Sequence, residues 1–503
     1  MNTDKLLSTA TFLGLLLSWV MPCVVNAGSS AKQSQPNIVL IMADDVSPEM
    51  YGCYGNAEAK TPNLDRMARE GVMFRTAWAS ALCGPARAQI MTGCYATTTG
   101  FWSNGFAIPQ EDGSNDLFRY YPSFAKLLQA AGYATAVAGK WHIGGAEHPE
   151  EPVVGFDEYC LWEGTKELAK LPGSPKHQGA WEDDTTPSRY WQPCIVKNHQ
   201  VVPTKPDDFG PTLFTDFLCD FMERNVKAGK PFLAYYPMVA PHGTRKGMPT
   251  CPLYGEVGEN QGDKKDNAPR FRALNDYIDV LVGRLVTKVR DLGVMDNTII
   301  LFCSDNGTAV IAKSRGTERG CHVPMIALGD GIKQRGATEE ICDLADILPT
   351  LADFAGVKLP EGAPVDGQSL KPFLTGARDA HRDHIFACIG TTRLVRSRTH
   401  MLEVVNSVLG VPQGRFYFCG NNHDGHGYQR VDDDPEHAAV RSEFEGILAS
   451  RPGLTKTHPY FQQRRGANWL KAYQKPQRID KHLHNHRHYQ FYDESLEPLP
   501  LEQ

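Results

Sequence analysis

The chain has 503 residues and a formal net charge of −6 at pH 7. This length allows a large hydrophobic core or about two to three domains. The composition, with 41% hydrophobic and 22% charged residues, is that of an ordinary globular protein, and the acidic balance argues against a surface that binds nucleic acid.

Residues 1–27 have the pattern of a secretory signal peptide. Lys5 precedes an apolar run over residues 6–20, and the small residues around Ala27 fit a cleavage site. A signal anchor is the alternative, but the run is short for a membrane span. The signal pattern predicts an exported protein, periplasmic or secreted. Because no other stretch is apolar enough to cross a membrane, we expect no stable membrane insertion.

The chain contains 13 cysteines, of which Cys23 lies in the predicted signal peptide. Export permits disulfide bonds, but these cysteines are scattered along the chain rather than clustered as in a small disulfide-rich domain. Their pairing stays open, and buried thiols are the alternative to bridges.

Between residues 36 and 376, apolar runs alternate with helical patterns, which predicts a doubly wound α/β domain. Buried strands are predicted at residues 37–42, 134–138, 231–238 and 298–302. Helices are predicted at residues 123–132 and 270–292, the second with a continuous apolar stripe. Polar residues follow the strands, at the edge where ligands bind in open α/β sheets.

Two regions have a different character. Residues 147–208 are rich in proline, glycine, tryptophan and charge, which predicts a long loop over this edge of the sheet. Residues 383–503 predict a smaller α+β domain, in which extended segments precede a helix at residues 435–450 with Asp434 as its cap.

The sequence around Cys83 predicts a thiol at the start of a short helix. Cys83 stands two residues before Pro85, a residue type favoured at the first helical position, and Gly93 is placed to end the helix. Free N–H groups at a helix N-terminus favour an anion, and Arg87 adds a fixed positive charge. The pattern therefore predicts a nucleophile that faces an oxyanion pocket.

Two pairs of oxygen-bearing side chains follow predicted strands. Asp44 and Asp45 come after the first strand, and Asp305 and Asn306 come after the strand at residues 298–302. Hard oxygen donors of this kind suit Ca²⁺ or Mg²⁺. The alternative for each pair alone is an ordinary turn, which these residue types favour.

Lysines and histidines complete the set of candidates. Lys140 and His142 lie after a predicted strand, and their side chains point to the same side if that strand continues. A lysine supplies a compact positive charge, and a histidine such as His142 or His242 transfers protons near neutral pH. Taken singly, these residues and Lys313 favour the alternative, which is a solvated or structural role.

Three further side chains are candidates for the mouth of a pocket. Trp102 could stack on a sugar ring, with core packing as the alternative. Arg245 and Lys246 would suit a polyanionic ligand, with a solvated basic loop as the alternative.

Taken together, these motifs resemble the sulfatase family over residues 36–376. The matching motifs, in chain order, are Asp-Asp after the first strand, Thr-Pro-Asn-Leu-Asp, Cys-x-Pro-x-Arg, Gly-Lys-Trp-His-x-Gly, Pro-His after a strand, and Ser-Asp-Asn-Gly. The chain departs from the family pattern at Ala86, where serine is usual, and at Arg319 and His322, where glycine and arginine are usual. The resemblance implies an alkaline-phosphatase-like fold: a large mixed sheet sandwiched by helices, with a smaller C-terminal α+β subdomain.

The resemblance also implies a nucleophile and a metal site. Cys83 would be oxidised to Cα-formylglycine (3-oxoalanine) by a separate maturation enzyme, and its hydrate would attack sulfur. One Ca²⁺, with Mg²⁺ as the alternative, would be held by Asp44, Asp45, position 83, Asp305 and Asn306.

Three cations would bind the sulfate group in such an enzyme. Arg87 and Lys140 match family motifs directly. Lys313 is aligned with the sulfate-binding lysine by counting back five residues from Glu318. Arg315 is the alternative for this position.

The implied activity is hydrolysis of a sulfuric ester, with a sulfated carbohydrate or an aryl sulfate as substrate. His242 is the candidate acid for the leaving alcohol, and His142 is the candidate base for the later release of sulfate. Two alternatives stay open: a phosphonate or phosphate ester hydrolase of the same fold, and a carbohydrate-binding protein in which Cys83 stays unmodified.

Overall fold

The computed structural model describes residues 35–102, 104, 116–143, 148–163, 186–244, 247–262, 266–308, 312–313, 318–389, 392–405, 414–425 and 427–451. The predicted signal peptide, Arg245, Lys246, Arg315 and residues 452–503 of the predicted C-terminal domain lie outside the described residues.

A large mixed sheet forms the centre of the molecule. Its strands are β1 (Asn37–Ala43), β2 (Val72–Trp78), β3 (Ala134–Gly139), β4 (Glu158–Trp162), β5 (Ile195–Lys197), β6 (Gln200–Val202), β7 (Phe232–Pro237), β8 (Thr298–Ser304), β9 (His322–Gly329) and β10 (Gly336–Asp343). Within the described residues their order is β10-β2-β9-β8-β1-β7-β3-β4-β5-β6. The four neighbours β8, β1, β7 and β3 are all parallel, with Leu40 of β1 opposite both Leu301 and Tyr235.

Helices cover both faces of this sheet. They are α1 (Pro62–Glu70), α2 (Cys83–Thr92), α3 (Ala96–Thr99), α4 (Phe124–Ala130), α5 (Gly210–Lys227), α6 (Asn267–Asp291), α7 (Glu318–Cys321), α8 (Ile347–Phe354) and α9 (Lys371–Leu374). Successive residues of β1 enter two different cores, with Leu40 on the side of α2, α4 and α8 and Ile41 on the side of α1, α5 and α6. Because side chains alternate along a strand, a strand buried on both faces reads as one apolar run. The predicted helix-sheet-helix sandwich is confirmed.

A second, antiparallel sheet lies in the C-terminal region. Its strands, in sequence and spatial order, are β11 (Ile385–Ile389), β12 (Thr392–Arg396), β13 (His400–Val405), β14 (Arg415–Phe418) and β15 (Gln429–Arg430). Helix α10 (Ala438–Ser450) packs on it through Phe444 and Leu448. The carboxylate of Asp434 accepts a hydrogen bond from the backbone N–H of Glu436 at 2.9 Å, at a single turn of 3₁₀ helix that precedes α10.

The structure tests three predictions about local structure, and the first of them is wrong. Residues 147–208 are not only a loop, because β4, β5 and β6 extend the large sheet there; these strands have only 3 to 5 residues, too few for a clear pattern. The prediction of a short helix that starts at Cys83 and is closed by Gly93 is confirmed; Pro85 lies in the first turn rather than at the first helical position, where a missing N–H still costs no hydrogen bond. Of the two alternatives for Trp102, the structure supports core packing, because this side chain is 4% exposed and packs beside the second sheet.

The cysteines from Cys53 to Cys419 are all free thiols, and most are buried. Among the described residues, no helix combines the length and the apolar character that a bilayer span requires.

Candidate active site

The predicted site residues meet at one edge of the large sheet. The loops that follow β1, β3, β7 and β8 carry Asp44, Asp45, Lys140, His242, Asp305 and Asn306. These strands are parallel neighbours, so their C-terminal ends lie side by side. Backbone hydrogen bonds tie the loops together beyond the strands, from Asp44 N to Ala240 O (3.0 Å) and from Asp305 N to Ala43 O (3.1 Å).

Cys83 is fully buried at the first position of α2. Its Sγ lies 2.9 Å from Lys313 Nζ and 3.5 Å from the nearer carboxylate oxygen of Asp45. Burial raises the pKa of the Cys83 thiol, against the opposing charges of Lys140 and Lys313. The neutral thiol is therefore a poor nucleophile, since the thiolate is the reactive form.

The carboxylates Asp44 and Asp305 are each held by a buried cation. Lys140 Nζ lies 2.7 Å from Asp44 Oδ2, and Arg87 Nη2 lies 2.8 Å from Asp305 Oδ2 and 3.6 Å from Asp44 Oδ1. Burial opposes the charge of Asp44, but Lys140 and its neighbours outweigh it and hold the pKa well below the usual value. Burial and the charge of Asp44 raise the pKa of Asp305 to about 7.

Asp45 adopts a left-handed backbone conformation, with φ of +70°. Aspartate tolerates this region better than most residues, and such strain is concentrated at functional sites. The backbone N–H of Asp45 donates to Asp305 Oδ1 at 3.0 Å, while its carboxylate accepts two hydrogen bonds from Lys313 Nζ at 2.7 and 2.8 Å. The structure therefore selects Lys313, the residue predicted by counting, as a member of the cluster.

Asn306 has a buried oxygen without a hydrogen-bond partner among the described residues. Its Nδ2 donates to Asp45 Oδ1 and to Gly307 O, both at 2.8 Å, which leaves Oδ1 as the orphan. An unsatisfied buried acceptor costs about 1–3 kcal/mol, and a cation would satisfy it. Ligand atoms of Asp44, Asp45, Cys83 and His242 lie within 4.8 Å of one another. The donor set fits a divalent cation, and the predominance of oxygen suits Ca²⁺ or Mg²⁺.

His242 follows β7 and is partly exposed. Its Nε2 lies 3.6 Å from Asp45 Oδ2, and its Nδ1 lies 2.7 Å from Gly243 O. Because Gly243 O only accepts, Nδ1 carries the proton in this contact and Nε2 faces the cluster. Burial and the charge of Lys313 lower the pKa of His242 to about 3.

The prediction that Lys140 and His142 project from one continuing strand is wrong. β3 ends at Gly139, and His142 turns back with φ of +52°. His142 is still near the cluster: burial and the charges of Lys140 and Arg87 hold its pKa well below the usual value. Its Nδ1 is buried without a hydrogen-bond partner among the described residues.

The sequence predicts no contact with the cluster for two side chains that lie beside it. Asn104 accepts a hydrogen bond from the backbone N–H of Gly84 at 2.8 Å and so uses one of the free donors at the start of α2. Arg189 places Nη1 3.4 Å from His242 Nδ1, and its guanidinium lies 4.1 Å above the ring of Trp162. Neither belongs to a motif, so only the folded chain reveals them.

Comparison with known proteins identifies the family. A family model described as Sulfatase matches residues 36–357. The chain belongs to the sulfatase family. As a member, it is a sulfuric ester hydrolase, in agreement with the sequence-based expectation.

The most similar relatives include two mammalian enzymes. The sulfatase is 30% identical over 448 residues to N-acetylgalactosamine-6-sulfatase of Sus scrofa, across 81% of this chain and 80% of the relative. It is 31% identical over 387 residues to arylsulfatase A of Homo sapiens, across 72% of each chain. The crystal structure of Ps i-CgsB in complex with k-i-k-neocarrahexaose superposes with a TM-score of 0.67 at 24% identity, covering 90% of this chain and 100% of that one. This last similarity supports the fold.

Proposed function

We propose that this sulfatase removes sulfate from a sulfated carbohydrate, with a nucleophile made from Cys83. The observation that carries the proposal is the convergence of Cys83 with three cations at the strand ends: the buried Arg87 of α2, the buried Lys140, and the partly exposed Lys313. The similarity to an enzyme named N-acetylgalactosamine-6-sulfatase supports a sugar sulfate as substrate.

Oxidation of Cys83 by a separate maturation enzyme would replace the thiol by formylglycine, whose hydrate supplies a hydroxyl nucleophile. This proposal answers a chemical difficulty, because the buried thiol has a raised pKa and is weakly nucleophilic. Ala86 stands where serine is usual in the motif; it is fully buried in the core.

Charge balance indicates how the sulfate group is held. The carboxylates of Asp44, Asp45 and Asp305 are matched by the cations of Arg87, Lys140 and Lys313. A divalent cation at the carboxylates would free the lysines to bind sulfate oxygens. Preorganised cations of this kind stabilise negative charge that develops in the transition state.

The metal would be held by Asp44, Asp45, Asp305 and Asn306, beside position 83. When bound, it would withdraw electron density from the sulfate group as a Lewis acid. Ca²⁺ is our first choice and Mg²⁺ the alternative, because all four residues offer oxygen.

The two histidines would move protons. We assign His242 as the acid for the leaving alcohol, because its Nε2 faces the cluster and lies 3.6 Å from Asp45. Donation from Nε2 requires the imidazolium form, which burial and Lys313 disfavour in the free site and which the negative charge of a bound sulfate ester would favour. We assign His142 as the base for the later release of sulfate. Its Nδ1 has no hydrogen-bond partner within the part of the chain that the structure describes and could accept a proton there.

We further propose that residues 1–27 direct export to the periplasm or the exterior. The proposed domains are residues 36–376 for catalysis and residues 383–503 for the C-terminal subdomain.

The test is hydrolysis of an aryl sulfate by protein co-expressed with a maturation enzyme. Wild type should be active, and both Cys83→Ala and Cys83→Ser should lose at least about 10³-fold in kcat, as expected when a nucleophile is removed. Peptide mass spectrometry across Cys83 should show the aldehyde in the wild type. Cys388→Ala, a buried cysteine of the second sheet, serves as the matched control. Undiminished activity of Cys83→Ala would contradict the proposal, and preference for a matched aryl phosphonate would favour the phosphonate alternative.

A further inference from the structure

A fully buried ion pair joins the two sheets. Glu318 is the first residue of α7, and Arg396 is the last residue of β12 in the second sheet. Arg396 Nη1 lies 2.7 Å from Glu318 Oε2, and the side chains are 0% and 1% exposed, respectively. The second sheet therefore reaches into the large-sheet unit with a charged group.

Glu318 is held from several directions. Its second carboxylate oxygen accepts a hydrogen bond from Trp78 Nε1 at 3.0 Å. Its backbone N–H donates to the carboxylate of Glu403, which in turn pairs with Arg415 at 2.9 Å in the second sheet. Side chain and backbone of one residue are thus fixed by groups from two sheets.

Arg396 is fixed as firmly as its partner. Its Nη1 also donates to the hydroxyl of Tyr428 at 2.8 Å, and its Nη2 donates to the carbonyl oxygen of Asn422 at 3.1 Å. The guanidinium group of Arg396 is therefore held in place independently of Glu318.

One side of this junction leads to Cys83. Trp78 ends β2, and the next residue, Ala79, donates its backbone N–H to Cys321 O at 2.8 Å. Both the backbone N–H and the hydroxyl of Ser80 donate to Gln89 Oε1, at 2.9 and 3.1 Å. Because Gln89 lies on α2, the junction is bonded stepwise to the helix that carries Cys83.

The other side leads to Lys313, five residues before Glu318. The backbone N–H of Lys313 donates to Thr308 O at 3.1 Å, and Gly307 N donates to Gly320 O at 3.0 Å. Lys313 is thus bonded to Thr308, and Gly307 beside Thr308 is bonded to Gly320, two residues after Glu318.

Stability alone gives no reason for this arrangement. Replacing a buried ion pair by apolar residues is often neutral or stabilising, because two desolvated charges are costly. A charged pair does, however, fix direction and distance more strictly than apolar packing. Its position between the Cys83 helix and the Lys313 segment indicates that geometry is what it controls.

We propose that Arg396 is a positioning residue that acts through Glu318 to hold Lys313 at its working distance from position 83. The second sheet then contributes to catalysis without touching the substrate. The inference rests on the proposed role of Lys313 in binding sulfate.

The test is a double-mutant cycle on kcat/KM for an aryl sulfate, measured below the onset of unfolding. Because Arg396→Met alone leaves a buried carboxylate unpaired, the test variant is Glu318→Gln with Arg396→Met, which removes both charges and keeps an acceptor for Trp78. A catalytic group misplaced by about 1 Å can lower the rate by up to about 100-fold. We therefore expect the test variant to lower kcat/KM by about 10- to 100-fold in an otherwise wild-type chain. In a Lys313→Ala background we expect the same two substitutions to lower kcat/KM by less than about twofold further, because the effects of substitutions at coupled residues are not additive.

Arg398→Gln is the matched control. Arg398 lies two residues after Arg396 and makes two hydrogen bonds to the carboxylate of Glu340, at 2.7 and 2.8 Å. This substitution removes those bonds and should leave kcat/KM unchanged. Hydrogen exchange of residues 305–321 gives a readout that does not need activity, and it should accelerate in the test variant but not in this control.

An equal loss in both backgrounds, no loss at all, or unchanged exchange of residues 305–321 would each overturn the inference. An inactive wild type that contains formylglycine would instead contradict the proposed function, and the exchange experiment would still decide the positioning role.

Discussion

The molecule contains two buried clusters of charge with similar composition and different construction. One is the candidate active site at the strand ends. The other, which we call the Arg382 cluster, consists of Tyr95, Asp343, Asp346, His381 and Arg382. Each cluster combines aspartates, an arginine and a histidine.

The difference lies in how the oxygens are used. In the Arg382 cluster, every carboxylate oxygen has a donor. The two oxygens of Asp343 accept from Ala345 N and from Tyr95 OH. The two oxygens of Asp346 accept from the backbone N–H groups of Asp343 and Gln368, and also from Arg382 and His381. In the site, the oxygen of Asn306 is an orphan, and lysines rather than backbone groups cover much of the carboxylate surface. We infer that the cluster whose oxygens all have donors holds the fold, and that the orphan oxygen of Asn306 leaves the other cluster ready for a ligand.

The largest expected effect is on stability, from Arg382→Met. Removing one partner leaves Asp343 and Asp346 as buried like charges, which should lower the free energy of unfolding by about 3–5 kcal/mol. Urea unfolding followed by circular dichroism measures it, and kcat per folded molecule should stay at the wild-type value. A loss of kcat without a loss of stability would mean that the two clusters have exchanged roles.

The reverse pattern is expected for Lys140→Met. Lys140 contacts Asp44 at 2.7 Å, and loss of one preorganised cation should reduce kcat by about 10²- to 10³-fold, or about 2.7–4 kcal/mol. Arg87 stays beside Asp44, so the free energy of unfolding should change less than in Arg382→Met. Lys371→Met, which removes a partly exposed pair with Asp353, is the control and should keep wild-type kcat. A Lys140 variant with normal kcat would remove this residue from the mechanism.

The sequence predicts the strand-end residues well, and physics explains why. The strands before Asp44, Lys140 and Asp305 are buried on both faces, so each reads as an uninterrupted apolar run that ends at a polar residue. Parallel pairing then brings distant residues to one edge without knowledge of the loops. The resemblance to the family supplied His242, and it also supplied Lys313, by counting back five residues from Glu318 of the family motif.

What the sequence concealed depends on contacts between distant segments. The Arg382 cluster and Arg189 beside His242 involve residues that carry no local pattern. Glu318 lies in a family motif, but nothing near it in the sequence indicates its partner Arg396. The strands after residue 147 are also too short for an alternating pattern of apolar and polar residues to be recognised. Burial of a polar residue is decided by the partner that meets it, and that partner cannot be read from its neighbours in the chain.

The pH dependence of stability offers a sharper separation of the two clusters. Burial and the charge of Asp346, against that of Arg382, raise the pKa of Asp343 from 3.8 to about 6. A raised carboxyl pKa favours the protonated fold, so this group's contribution is fully present below about pH 4 and is lost as pH rises through 6. The free energy of unfolding falls by at most about 3 kcal/mol through this group.

Asp343→Asn mimics the neutral carboxyl and should remove this loss. Thermal unfolding between pH 4 and 7 should show a flatter dependence in the variant than in the wild type, with the variant gaining most at the upper end. Asp353→Asn, on the surface beside Lys371, should keep the wild-type slope. Parallel pH curves for wild type and Asp343→Asn would show that Asp343 stays ionised in the fold.

The smallest expected effect tests whether the orphan oxygen of Asn306 binds a metal. Added Ca²⁺ should raise the free energy of unfolding by mass action, and Asn306→Ala should reduce that gain by about 1.4 kcal/mol for each tenfold loss of affinity. Asn275→Ala is a stringent control, because Asn275 on α6 also has a buried Oδ1 without a partner among the described residues, while its Nδ2 donates to Phe271 O. If both variants lose the same part of the Ca²⁺ effect, an orphan oxygen does not by itself mark a metal ligand. If only Asn306→Ala loses it, the unsatisfied acceptor matters because carboxylates surround it.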